Sequence, residues 1–378
     1  MRIETIAVHA GHDIDSATAA VTPPIHLSTT FAREADGSYR AGFLYSRYAN
    51  PTVQAVEEKL ALLEGAESAM VTSSGMAATA TALFGLLKSG DEVVCSAAIY
   101  GGTLQIITNL LGGFGVRPRF ASLEELAAPE RLIGPTTKVI WFESPINPTL
   151  RCVDLRRIAN ACRDRGVISV VDNTFASPVN QQPIALGIDL VMHSATKYLN
   201  GHSDVTAGAL IGSRSLIDRL HSARKLFGGV LEPASAYALS RGLKTLHVRV
   251  ARHNDNAHHV ADWLSRDRRV TRVFYPGLAS HPDHEVARKQ MSGFGGMVCF
   301  EVADYAAACH VFDRLQVIQR AASLGGVESL CSLPVLTSQY GFTDDQLAAA
   351  GVTRGMIRLS VGLEHAEDLV KDLDQALG

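Results

Sequence analysis

Five short apolar segments, separated by segments with helical periodicity, dominate the chain between Ser68 and Gly212. The apolar segments read AMVTS, EVVCS, KVIWF, VISVVD and DLVMH. Strands that alternate with helices at this spacing form a mostly parallel sheet with helices on both faces. The pattern therefore predicts an α/β class protein with a doubly wound domain.

The rest of the chain predicts two further parts, in keeping with a length of 378 residues. Residues 1–45 contain few helical periods and predict an extended arm, before a large domain over residues 46–230. A long helical stretch at 233–263 and irregular strand candidates after it predict a smaller α+β C-terminal domain over residues 231–378. Pro51 and Gly65 are placed to begin and end the first helix of the large domain.

Composition argues against several classes of function. The net charge is −3 and the basic residues are dispersed, so we expect no nucleic-acid partner. The chain has no apolar run of about 18 residues and no leader-like N-terminus, which predicts a cytoplasmic protein without membrane contact. The six cysteines and 14 histidines show no metal-ligand spacing, so we expect reduced thiols and no metal.

Lys197 lies in a polar segment directly after the apolar run 188–192. In open α/β sheets ligands bind beyond the carboxyl ends of the strands, so a lysine there can be a reactive amine. An exposed loop lysine is the common alternative. Ser194 and Thr196 place two hydroxyls beside the amine, which favours an anionic phosphate. Together they predict a phosphorylated carbonyl cofactor.

Two other strand ends carry side chains or backbone groups suited to such a cofactor. Asp172 ends VISVVD, where its carboxylate can keep a pyridine nitrogen protonated. A helix cap or turn is the alternative role. Gly75 and Met76 begin a helix after AMVT, and the N–H groups of a helix N-terminus bind phosphate.

Three more residues follow predicted strands. Tyr100 comes after EVVCS and offers a ring for stacking and a phenol for proton transfer, or simply packs in the core. Glu143 and Asn147 follow KVIWF and suit the orientation of the cofactor ring oxygen and the substrate. They are equally suited to a turn.

The block HSATKYLNGHSDVTAG around Lys197 resembles the Schiff-base lysine segment of the Cys/Met-metabolism (transsulfuration) family of pyridoxal 5′-phosphate (PLP) enzymes. Other motifs extend the resemblance over nearly the whole chain. It implies the PLP-dependent aminotransferase fold type I. It also implies that Lys197 binds PLP and then acts as the general base, that Asp172 holds the ring-nitrogen proton, and that Tyr100 activates the substrate amine. The implied phosphate ligands are Gly75, Met76, Ser194, Thr196, Tyr45 and Arg47.

The resemblance also bears on assembly and substrate binding. In the family, the matching YSR motif, here Tyr45 and Arg47, reaches the phosphate of a neighbouring subunit, which implies at least a dimer and typically a homotetramer. An exposed aromatic and arginine pair is the alternative. In MIRLSVGLE, alternation turns Arg358 away from the apolar side of the strand, and its guanidinium can grip a carboxylate. The resemblance makes Arg358 the anchor of the α-carboxylate, with Ser323 nearby.

The resemblance implies γ-elimination on a sulfur-containing amino acid, of the methionine or cystathionine γ-lyase type, giving 2-oxobutanoate, ammonia and a thiol. The alternative is γ-replacement on an O-acyl-homoserine, of the cystathionine γ-synthase or sulfhydrylase type. An aminotransferase and a non-catalytic PLP-fold protein also stay open. Three residues depart from common family patterns: Gly102 replaces a cysteine, Ala322 a glutamate and Gln339 a histidine. We expect them at the distal end of the substrate pocket.

Overall fold

A seven-stranded sheet forms the centre of the larger part of the molecule. The computed structural model describes residues 1–378, apart from the side chain of Ala349. The strands are β1 Ser68–Thr72, β2 Glu92–Ser96, β3 Arg117–Ala121, β4 Thr137–Glu143, β5 Ile168–Asp172, β6 Leu190–His193 and β7 Gly208–Gly212. Their order is β1-β7-β6-β5-β4-β2-β3, with β7 antiparallel to both neighbours and the other pairs parallel. Buried apolar clusters cover both faces, as the predicted α/β class requires.

A second sheet of five strands forms a separate core in the C-terminal part. Its strands are β8 Arg272–Phe274, β9 Met297–Glu301, β10 Gln319–Arg320, β11 Leu330–Ser332 and β12 Met356–Ser360. The order is β10-β11-β12-β9-β8, and only the β10–β11 pair is parallel. Three of these strands, β8, β10 and β11, have only two or three residues, which explains why the strand and helix alternation that is clear in the first part is not evident here.

Fourteen α-helices surround the two sheets. They are α1 Ile3–His9, α2 Pro51–Glu64, α3 Gly75–Leu86, α4 Gly101–Gln105, α5 Leu123–Leu126, α6 Leu155–Arg165, α7 Ser177–Asn180, α8 Arg214–Phe227, α9 Pro233–Leu243, α10 Leu246–Arg266, α11 His284–Gln290, α12 Tyr305–Arg314, α13 Asp344–Ala349 and α14 Ala366–Leu377. In the described part of the chain, no helix is both long enough and apolar enough to cross a membrane.

Local chemistry explains the helix that was predicted between Pro51 and Gly65. The side chain of Asn50 accepts hydrogen bonds from the N–H groups of Thr52 and Val53, and Pro51 occupies the first helical position. Gly65 ends the helix in the left-handed conformation, with a φ of 68°. The predicted boundaries of α2 are therefore confirmed.

The structure departs from the sequence-based expectations at four elements. The arm begins with the short helix α1. Strand β3 was not predicted because it is a largely exposed edge strand that contains Pro118. Strand β7 was not predicted because it returns antiparallel to β6 after a loop rather than a helix. The helical stretch 233–263 is two helices, because Thr245 leaves the helical conformation and Arg249 Nη2 donates a hydrogen bond to the Gly242 carbonyl at 2.8 Å.

Candidate active site

Lys197 lies in the loop that joins β6 to β7, at the carboxyl ends of the parallel strands. Its Nζ donates a hydrogen bond to Ser323 Oγ at 2.6 Å. Burial, and to a smaller extent the positive charge of Arg358, lowers the pKa of Lys197 to about 8. More of this amine is neutral at neutral pH than in an ordinary lysine, as a nucleophile or a general base requires.

Arg358 lies beside this amine in β12, with 6% of its surface exposed. Nη1 donates to Asn147 Oδ1 at 2.8 Å and Nη2 donates to the Ser323 carbonyl at 3.3 Å. Burial lowers the pKa of Arg358. No ion pair among the described residues involves this guanidinium. A buried cation of this kind favours an anionic ligand such as a carboxylate.

Ser323 joins the amine and the guanidinium. Its hydroxyl contacts Lys197 and its carbonyl contacts Arg358. Its φ of 97° lies in the left-handed region, where a residue other than glycine costs about 1–3 kcal/mol. Such strain concentrates at functional sites, and here it turns both polar groups of Ser323 towards the two cations.

Two carboxylates lie side by side at the ends of β4 and β5. Glu143 and Asp172 are register partners, with Glu143 Oε1 accepting the Tyr100 N–H at 2.6 Å and Asp172 Oδ1 accepting the Thr174 N–H at 3.0 Å. Burial raises the pKa of both carboxyl groups, and the charge of Asp172 adds to the increase at Glu143. A neighbouring cation, such as a protonated pyridine nitrogen, would counter both effects.

The start of α3 forms a cradle for an anion. Ser74 caps the helix by accepting the Ala77 N–H at 3.0 Å, while the N–H groups of Gly75 and Met76 have no acceptor within the described chain. A Cβ on Gly75 would lie 3.0 Å from Ser194 Oγ, so only glycine lets this hydroxyl come so close. Two free N–H groups and a hydroxyl at a helix N-terminus suit a phosphate.

Thr196 differs from the other predicted phosphate ligands. Its hydroxyl donates to the Ala207 carbonyl at 3.1 Å and accepts the Ala207 N–H at 3.0 Å. The hydroxyl proton is therefore already used to close the loop between β6 and β7. In this structure Thr196 shapes the loop and does not present a free donor.

Tyr100 stands beside the anion cradle, with 47% of its surface exposed. A Cβ on Gly102 would lie 2.7 Å from Tyr100 Cε1 and 2.6 Å from Met76 Sδ. The absence of a side chain at position 102 thus lets the tyrosine pack close to the start of α3. The exposed part of the ring is available for stacking on a planar ligand.

The other two departures from the family pattern lie in different surroundings. Ala322 lines a cavity of 570 Å³ together with Ser323, Thr196, Asp204 and Glu328. Gln339 is buried, and its Oε1 accepts a hydrogen bond from Ser338 Oγ at 2.6 Å. Ala322 thus borders the same cavity as Ser323, the hydrogen-bond partner of Lys197.

Tyr45 and Arg47 are not brought to Lys197 within one chain. Arg47 Nη1 donates to the Lys225 carbonyl at the end of α8 at 3.0 Å, and its guanidinium lies 5.1 Å from the ring centre of Tyr48. Tyr45 pairs with Thr30 through a backbone bridge. The other predicted site residues lie at the strand ends, at the start of α3 and in the loops described above, apart from Arg358, which lies within β12.

Thr174 was missed by the sequence analysis. Its N–H donates to Asp172, and its Oγ1 accepts the Ser194 N–H at 2.8 Å. It therefore links the Asp172 carboxylate to the backbone of Ser194, whose hydroxyl belongs to the anion cradle. The spacing in Asp172-Asn173-Thr174 is that of an Asx turn, which is the local signal that was available.

Together these groups fit PLP. The donor set contains an amine for the aldehyde, two free N–H groups with a hydroxyl for the phosphate, and a pair of carboxylates for the ring nitrogen. The fold and the site therefore define a PLP-dependent α/β enzyme.

Comparisons with known proteins agree with this class. A model of the family described as "Cys/Met metabolism PLP-dependent enzyme" matches residues 4–378, and the chain belongs to that family. The chain is 42% identical to an L-methionine γ-lyase of Pseudomonas putida, over 99% of this chain and 96% of the relative. It is 43% identical to a cystathionine γ-lyase of Homo sapiens, over 99% of this chain and 93% of the relative.

The fold is also that of a solved structure. The crystal structure of metB from Corynebacterium glutamicum superposes with a TM-score of 0.95 at 39% identity, covering 100% of this chain and 98% of the other. The predictions of the family, the fold class and the PLP cofactor are confirmed.

Proposed function

We propose that this enzyme catalyses γ-elimination from a sulfur-containing amino acid and releases 2-oxobutanoate, ammonia and a thiol. The observation that carries the proposal is the position of the Lys197 amine, 2.6 Å from Ser323 Oγ. The amine lies next to Arg358, which has no ion-pair partner among the described residues. This arrangement supports a base and a carboxylate anchor that act on the same amino acid. Similarity to a methionine γ-lyase and several cystathionine γ-lyases supports this reaction class.

The side chains divide the work as follows. Arg358 binds the substrate carboxylate and Asn147 orients the guanidinium. Lys197 would take the proton from the substrate α-carbon, pass it on to the cofactor, and then be free to take one from the β-carbon, since its lowered pKa leaves a useful fraction of the amine neutral. Asp172 holds a proton on the cofactor ring nitrogen. When bound, PLP accepts the electron pair that is released at the α-carbon.

Tyr100 supplies the remaining proton transfers. Its phenol takes a proton from the incoming amine and returns one to the departing sulfur. Its ring would stack on the planar ring of the cofactor, and Glu143 holds its backbone N–H at 2.6 Å. Ser323 would orient the free lysine amine through its hydrogen bond to Nζ.

The open cavity beside Ser323 favours a substrate with a second amino group. The carboxylates of Asp204 and Glu328 line this cavity of 570 Å³, and no lysine or arginine does. An amino-acid thiol carries both an ammonium and a carboxylate, and such a surface attracts the ammonium end. Cystathionine is therefore the preferred substrate over methionine, and Glu328→Gln is expected to raise the KM for cystathionine while leaving that for methionine unchanged.

We also infer that the active site is completed by a second copy of the chain, in a tetramer built from dimers. Arg47 and Tyr45 have no contact with their own Lys197, and large apolar side chains near them are exposed, including Leu27, Leu226 and Phe227. Mixing inactive Lys197→Ala and Arg47→Ala proteins should restore roughly a quarter of the parent activity, because hybrid dimers carry one intact site. A mixture without activity would contradict shared sites.

The reaction is tested with purified enzyme and added PLP. Methionine, cystathionine and homocysteine are assayed for 2-oxobutanoate and ammonia, and O-acyl-homoserine with cysteine is assayed for a thioether product. Lys197→Ala should abolish turnover. The matched control is Lys59→Met, because Lys59 is also buried with a pKa lowered to about 8 but lies in α2, hydrogen bonded to Ala7. Thioether product without 2-oxobutanoate would replace γ-elimination by γ-replacement.

A further inference from the structure

A buried polar network lies behind the ends of β4, β5 and β6. Successive residues at a strand end point to opposite sides of the sheet, so a residue that faces the cofactor has a neighbour that faces away. Each of the three strand ends supplies one residue to the candidate cofactor site and the adjacent residue to the network. These pairs are Glu143 with Ser144, Asp172 with Asn173, and Ser194 with His193.

Glu64, the last residue of α2, is the acidic residue of this network. It is fully buried, and its Oε1 is hydrogen bonded both to His193 Nε2 and to Asn173 Nδ2, the latter at 3.1 Å. His193 and Asn173 are themselves 1% and 0% exposed. One carboxylate oxygen therefore ties the end of β6 to the end of β5.

The network continues to β4 and to the C-terminal part of the molecule. Gln181 Nε2 donates to Asn173 Oδ1 at 2.9 Å and to the Ser144 carbonyl at 2.8 Å. Gln290 of α11 donates to Gln181 Oε1 at 3.1 Å. All three strand ends are thus joined by one set of side chains that the proposed chemistry does not use.

A purely structural role does not account for the acidic group at position 64. Its second oxygen, Oε2, is buried and has no hydrogen-bond partner in the described chain. A buried, incompletely paired carboxylate is costly, and replacing buried ion pairs by apolar side chains is often neutral or stabilising. The acid is better explained by the orientation that it imposes on the two strand ends.

We propose that Glu64 is a positioning residue for the cofactor. Through His193 and Asn173 it holds Ser194 and Asp172 at the spacing that the phosphate and the ring nitrogen of PLP require. The inference rests on the proposed cofactor site and extends it to residues that do not touch the ligand.

The test measures PLP binding rather than turnover. Cofactor-free parent protein and the Glu64→Gln variant are titrated with PLP, following visible absorbance, and their thermal midpoints are recorded. The variant is expected to bind PLP on the order of 10-fold to 100-fold more weakly, as is usual when an outer hydrogen-bonding partner of a site is lost. The matched control is Asp372→Asn, another buried acid, which accepts three backbone N–H groups far from the site.

The control separates positioning from stability. Asp372→Asn should lower the thermal midpoint and leave the Kd for PLP unchanged, whereas Glu64→Gln should raise the Kd. A Glu64→Gln protein with the parent Kd and absorbance would overturn the inference. If that variant does not fold, Gln290→Ala breaks the far end of the network at a half-buried residue, and a parent Kd there would overturn it equally. A parent protein that binds no PLP would instead refute the proposed function.

Discussion

The lowered pKa of Lys197 gives a quantitative prediction for the cofactor-free protein. An amine reacts with acylating reagents only when neutral, so the rate of its acetylation should rise with pH and level off above about 8. At pH 7 a pKa of 8 leaves roughly a tenth of the amine neutral, whereas the ordinary value of 10.5 leaves about 0.03%. Burial and the charge of Arg358 therefore make about 300-fold more reactive amine available at neutral pH.

The assay follows acetylation of the peptide that contains Lys197 by mass spectrometry, between pH 6 and 11. Arg358→Met serves as the second arm, because removing the neighbouring positive charge should move the midpoint to higher pH. Exposed Lys289 reports the reagent concentration in the same sample. A midpoint near 10.5 in the parent protein would refute the reasoning, and an unchanged midpoint in Arg358→Met would remove the guanidinium as a cause.

Three further predictions follow from the packing around the site. Gly102→Ala should lower kcat on the order of 10-fold to 100-fold with little change in the thermal midpoint, because the new Cβ would lie 2.7 Å from Tyr100 Cε1. Unaltered steady-state kinetics would show that the tyrosine moves freely. Arg249→Met should lower the free energy of unfolding, measured in urea, by about 3–5 kcal/mol, since three backbone carbonyls lose a buried donor. A decrease below about 1 kcal/mol would contradict this. Asp283→Ala should lower the free energy of unfolding by about 2 kcal/mol and raise the substrate KM, because Asp283 holds Arg151 in the loop that carries Asn147. An unchanged KM in kinetic assays would show that this contact does not affect the site.

Much of the fold was predictable from local patterns. The alternation of apolar and helical segments predicted the parallel strands from β1 to β6 apart from β3, because buried strands and amphipathic helices each leave their own periodicity. Strand β7 leaves no such signal, because its direction depends on the loop that carries Lys197. The break between α9 and α10 was equally hidden, since Arg249 binds the Gly242 carbonyl at the end of α9 while it also binds the Tyr198 carbonyl, 51 positions away in the chain.

The candidate site divides in the same way. Residues that follow a strand or begin a helix, such as Lys197, Asp172 and Gly75, were identified because chain position alone places them at the crevice. The sequence predicted that the hydroxyl of Thr196 binds the phosphate, whereas in the structure this hydroxyl donates a hydrogen bond to the Ala207 carbonyl. Such a choice between partners depends on distances that no local pattern records.

The sequence by itself determined the class of chemistry, because the lysine segment and the strand and helix alternation are properties of neighbouring residues. Only the tertiary structure decided how the amine behaves. Ser323 lies 126 positions after Lys197, and Arg358 lies farther still, so their contacts and the burial that lowers the lysine pKa exist only after the two parts of the molecule pack together. Desolvation and charge proximity depend on separation in space, and separation along the chain does not encode them.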